Sequence, residues 1–166
     1  MVKYSSKQKR DQADVLFVPY IEGKPLEETC PEAKEFDQHL KSLISSKDYQ
    51  GKKGELFRVY LEDQPEKRIC LIGLGKDPSM DDIRFSYAKA SRFFTSFEAE
   101  SANVFIPKHS DPKSALEACF EGLLLGNYVF SQYKAKSRKD LTLSTFSHLN
   151  LITSVIAPIG TFRIKA

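Results

Sequence analysis

Three cysteines in 166 residues are too few, and too awkwardly placed, for a disulfide framework. Cys30, Cys70 and Cys119 are odd in number, stand forty or more residues apart and form no CxxC pair, so the sequence predicts free thiols in a reducing, cytoplasmic setting. Two of them fall in apolar stretches, Arg68-Ile-Cys-Leu-Ile-Gly73 and Leu116-Glu-Ala-Cys-Phe120, where a free cysteine behaves as a small hydrophobe. Long hydrophobic runs are missing too. None approaches the roughly 20 residues needed to cross a bilayer, and no apolar segment follows the basic start at Lys3, Lys7, Lys9 and Arg10 to make a signal peptide. Eight glycines and eight prolines exclude a collagen-like or low-complexity chain. Charge of one sign is scarce as well: 25 basic against 22 acidic residues leave only +3, short of a dedicated nucleic-acid binder.

What is present reads as one α/β domain, given this length and 41% hydrophobic residues. Asp14-Val-Leu-Phe-Val-Pro19 is a continuous apolar run, the pattern of a strand covered on both faces. Thr29-Cys-Pro-Glu32 has the spacing of a capping box, and the helix it would open sets Ala33, Phe36, Leu40, Leu43 and Ile44 on one face. A turn over Gly51–Gly54 precedes two strands, 55–61 and 67–73, whose short polar link predicts an antiparallel hairpin. Ser79-Met-Asp-Asp82 is a second helix start with acidic first-turn residues, and that helix carries Ile83, Tyr87, Ala90, Phe94 and Phe97 on one stripe. Ala102–Pro107 is the next buried strand. Asp111-Pro112 opens a long helix to about Tyr133, in which Gly122 and Gly126 share a face and invite another backbone to approach. The stretch 141–146 alternates like a strand.

Candidate chemistry is sparse. His39, His109 and His148 lie far apart in sequence, giving no local metal pair. The acidic pairs Glu27–Glu28 and Asp81–Asp82 sit at helix starts, where dipole complementarity accounts for them as an alternative to acid–base work. Gly73-Leu-Gly-Lys76 follows a strand but lacks the spacing of a nucleotide loop; it reads as a tight turn needing glycine's freedom or as amides offered to an anion. Lys134–Lys139 places four positive charges in six residues, a solvated connection or a patch for nucleic acid or an acidic partner.

Four segments in order nevertheless resemble the N-terminal domain of the cytosol (leucyl) aminopeptidases. They are Asp14–Pro19, Gly51-Lys-Lys-Gly-Glu55, Arg68-Ile-Cys-Leu-Ile-Gly-Leu-Gly-Lys76 and Glu121-Gly-Leu-Leu-Leu-Gly-Asn-Tyr-Val-Phe-Ser-Gln-Tyr-Lys134, and the resemblance as a whole covers residues 14–146. The resemblance implies a macro-like three-layer sandwich, with a central mixed, mostly parallel sheet flanked by helices. Residues 1–148 would form that domain, and 149–166 a tail or the start of an interdomain connection. It also implies that peptide hydrolysis belongs to a separate C-terminal domain holding two divalent metals, zinc or manganese. The NTDAEGR stretch of that domain does not occur here, so no catalytic, cofactor-binding or metal residue is assigned to this chain. The expected role is non-catalytic, in assembly or substrate access, with the catalytic domain as partner, a hexamer as the whole enzyme, and peptides met only through that domain. Two alternatives follow from the same resemblance: an ADP-ribose or nucleotide module built on the Gly73–Lys76 turn, and a DNA-binding accessory domain.

Overall fold

A computed structural model describes the backbone of residues 3–7, 9–95, 99–127 and 147–152. Among these residues six strands form one sheet: β1 (Lys3–Lys7), β2 (Ala13–Tyr20), β3 (Leu56–Val59), β4 (Glu66–Gly73), β5 (Ser101–Phe105) and β6 (His148–Ile152), in the order β1-β6-β5-β2-β4-β3. Every neighbouring pair is parallel except β3–β4, which forms the expected antiparallel hairpin. β2 lies between β4 and β5, and its unbroken apolar run follows from having both faces covered.

Strand periodicity divides the core in two. Val15 and Phe17 of β2, with Cys70 and Ile72 of β4, face the helices α3 (Met80–Thr95) and α4 (Pro112–Asn127). Leu16, Val18, Ile69 and Leu71 face the opposite layer, built from α1 (Leu26–Thr29), a 3-10 turn over Pro31–Phe36 and α2 (Asp37–Ser45). The α3 stripe is as expected: Ile83, Tyr87, Ala90 and Phe94 are buried, with Phe94 edge-on to Phe17 at 5.6 Å. The Tyr87 hydroxyl crosses to the sheet and donates to the Phe105 carbonyl at 2.5 Å. The Ser79 start is a reciprocal capping box. The Asp82 amide donates to Ser79 Oγ (3.2 Å), and the Ser79 amide to Asp82 Oδ2 (3.0 Å).

The two helix glycines act as the spacing implied. A Cβ on Gly122 would stand 2.3 Å from the Arg84 carbonyl oxygen, and one on Gly126 would stand 2.1 Å from that of Ala88. Glycine is what lets α4 lie backbone-to-backbone on α3, where Ser91 Oγ donates to the Leu123 carbonyl at 2.9 Å.

Two expectations need correction. Thr29 does not cap a helix: it ends α1, and its hydroxyl donates back to the Leu26 carbonyl at 3.2 Å. The next turn starts at Pro31 from a non-helical Cys30 without a side-chain cap and is 3-10 before α2 begins, so the single expected helix is two short pieces, with α1 a separate turn before them. Pro31 lacks the N–H that a continuous helix would require there. The boundary at 148 also falls inside the sheet, since residues 149–152 are part of β6 between β1 and β5. The expectations for Phe97, the helix end to Tyr133, Lys134–Lys139, the strand 141–146 and the tail 153–166 lie outside the described residues.

Candidate functional site

The Gly73–Lys76 turn closes on itself. The amide of Gly73 donates to the Glu55 carbonyl (2.8 Å), that of Leu74 to Tyr20 (2.9 Å) and that of Gly75 to Gly51 (3.0 Å). With these three donors engaged, the turn presents none of them to an anion. Its glycines serve geometry instead: Gly75 has φ +83°, and a Cβ on Gly73 would meet the Lys52 carbonyl oxygen at 2.1 Å. The nucleotide reading thereby loses three of the four amides of that turn.

The remaining sequence candidates are dispersed. His39 is exposed, His109 accepts the Asp111 amide through Nδ1 at 3.0 Å, and His148 lies beside Ser147. Glu27 pairs with Lys34 (3.3 Å), and Asp81 with Arg84. Asp82 accepts the Ser79 amide and pairs with Lys53 (3.2 Å), contacts that hold its carboxyl below the ordinary range. All three cysteines are buried, and burial pushes each thiol well up. Among the described residues no group of three or more His, Cys, Asp or Glu could hold a metal ion.

The most developed polar constellation lies elsewhere, at the amino-terminal ends of the parallel strands. Glu66, the first residue of β4, has a side chain with 0% exposure. Its Oε1 accepts Asn103 Nδ2 at 2.7 Å, and its Oε2 accepts Arg10 Nη1 at 3.1 Å. Asn103 also donates to the Asp11 carbonyl (2.7 Å) and accepts from Asn150 Nδ2 (3.1 Å). The network therefore ties β4, β5, β6 and the segment before β2 into one unit. Sequence reasoning missed it; the available signal was Asn103, a polar residue inside the apolar strand Ala102–Phe105, which a buried position obliges to find partners.

A cleft of about 400 Å³ opens next to this cluster, lined by Gln12, Asp14, Gln64, Glu66, Lys67 and Ser101 among others. Partial burial pushes the Asp14 carboxyl up. The Lys67 ammonium at 2.7 Å and the amides of Glu100 and Ser101 outweigh it, leaving the group below the ordinary carboxylate range. Both carboxyl groups of the region thus accept hydrogen bonds from partners already in place. They fasten strand ends together and leave no base or nucleophile poised.

Comparison with known proteins sets this fold among relatives. The model of the cytosol aminopeptidase family, N-terminal domain, matches residues 16–137. A "Probable cytosol aminopeptidase" of Protochlamydia amoebophila is 30% identical over 151 residues, covering 89% of this chain and 30% of the relative. One of Clostridium perfringens is 28% identical, covering 83% of this chain and 28% of the relative. The chain thus spans about 30% of the length of the curated relatives it matches. A tomato leucine aminopeptidase mutant superposes with TM-score 0.70 at 20% identity, covering 96% of this chain and 34% of that one. The macrodomain of Mycobacterium tuberculosis DarG gives 0.59 at 14% identity, covering 93% and 99% respectively; at such identity the likeness is one of fold. The macro-like sandwich with a mixed, mostly parallel sheet is the architecture observed.

Proposed function

Because this chain belongs to the cytosol aminopeptidase family through its N-terminal domain, we propose that it is the non-catalytic portion of a metal-dependent leucyl aminopeptidase and acts in assembly or substrate access. The carrying observation is that the family model matching residues 16–137 is that of the N-terminal domain, while the relatives extend to about three times the matched length. The two metal ions expected of the parent enzyme do not fit the described part of this chain, whose carboxylates and histidines are dispersed among caps and ion pairs. Hydrolysis, peptide selection and hexamer formation belong in this reading to the whole enzyme. No described helix is long and apolar enough to cross a membrane, and three buried free thiols support a cytoplasmic setting.

The test has two arms. The purified 166-residue chain, supplied with manganese or zinc, should not turn over leucine 4-nitroanilide, and robust turnover would refute the reading. Deleting the matched region from the Protochlamydia relative should change its oligomeric state or its preference for long over short peptides. A deletion variant that keeps both unchanged removes the role in assembly and access.

A further inference from the structure

The Arg10 side chain is held as a ligand is held. Its guanidinium makes three hydrogen bonds to three different residues: Nη1 to Glu66 Oε2 (3.1 Å), and Nη2 to Glu35 Oε1 (2.6 Å) and Gln64 Oε1 (3.1 Å). Two aromatic rings complete the enclosure, with the guanidinium carbon 5.5 Å from the Phe36 centroid and 5.8 Å from that of Phe105. The walls come from five positions on four parts of the fold: the 3-10 turn, the β3–β4 connection, β4 and β5. Arg10 itself lies in the short segment that joins β1 to β2.

We propose that the base of the sheet is a guanidinium-binding cage whose resident ligand is Arg10, and that an alkylguanidinium, the end group of an arginine side chain, can take its place. A planar fork reaches three separate acceptors while its faces lie against rings, which a lysine ammonium, a compact point charge, does not reproduce. Glu66 supplies a fully buried carboxylate that needs a cation partner. Glu35, with 47% of its side chain exposed, leaves one wall open to solvent as an entry path. The Arg10 side chain is 15% exposed, so the ligand is nearly enclosed yet reachable. Exchange at this cage loosens residues 9–12 and, with them, the edge strand β1, which among the described strands pairs only with β6.

The cage is tested with Arg10→Ala in the full chain, titrated with methylguanidinium or methylammonium chloride at constant ionic strength. Arg10→Ala should melt below the parent chain. Methylguanidinium should raise its Tm saturably, by about 3–6 °C at tenfold excess over the dissociation constant, and methylammonium should not. Amide exchange in β1 and β6 should quicken in Arg10→Ala and slow again with methylguanidinium. If Arg10→Ala does not fold in buffer, the recovered folded fraction is read against the same two salts. Arg10→Lys, which keeps the charge, should remain less stable than the parent chain. Equal effects of the two salts, recovery by neither, or a lysine variant as stable as the parent would overturn the proposal.

Discussion

Substitution of Gly126 by alanine puts two physical effects of opposite sign in competition. Helix propensity favours alanine over glycine by up to about 1 kcal/mol. Packing opposes it, because the new Cβ would lie 2.1 Å from the Ala88 carbonyl oxygen, a backbone atom that cannot rotate aside. To reach ordinary contact, α4 must move off α3 by about 1.5 Å. Overpacking of this kind costs about 1–3 kcal/mol and occasionally more. The same displacement stretches the buried Ser91–Leu123 hydrogen bond, with a further cost of about 1 kcal/mol. The net expectation is a destabilisation of about 2 kcal/mol, or a Tm lowered by roughly 4–8 °C. Urea unfolding followed by circular dichroism should show a lower midpoint with an unchanged m-value. Gly122→Ala should act likewise through the Arg84 carbonyl. The double variant should cost less than the sum, since one helix displacement relieves both clashes. A Gly126→Ala chain as stable as the parent, or more so, would show that propensity rules at this contact and that the close approach of α3 and α4 is not as described.

Two other perturbations read single groups. Tyr87→Phe should destabilise by about 1–2 kcal/mol, because it removes the buried hydrogen bond to the Phe105 carbonyl. Tyr49→Phe should be neutral or stabilising, since the Tyr49 hydroxyl is buried without a hydrogen-bond partner; paired thermal melts of the two variants check both. Asp14, whose carboxyl is lower in the folded chain than its ordinary 3.8, stabilises the fold when ionised. That contribution is complete above the unfolded value and is lost as pH falls through the lowered folded one. Asp14→Asn should therefore melt below the parent at neutral pH, and the gap should close as the pH is taken well under 3.8; a gap independent of pH would contradict the assignment.

Much of the fold was legible because its signals are local. The run from Val15 to Val18 announces a doubly covered strand, and the short link Glu62-Asp-Gln-Pro-Glu66 announces a hairpin. Ser79 and Asp82 are three apart, and Gly122 and Gly126 are one helical turn apart, spacings that carry their own geometry. The split at Thr29–Phe36 was not legible. The capping spacing there is satisfied on paper, yet the threonine hydroxyl found a nearer acceptor in the preceding turn.

The sequence alone settled the alternation of strands and helices, their buried faces and the family, since each rests on residues within a few positions of one another or on segments in order. Tertiary structure decided which strands are neighbours, placing β6 between β1 and β5. It also built the polar cluster in which Arg10 meets Glu66 across 56 residues and Asn103 meets Asn150 across 47. Contacts between residues so far apart in the chain leave no periodic trace in the sequence. They exist because burying a carboxylate and an amide at the strand ends obliges the fold to bring partners to them.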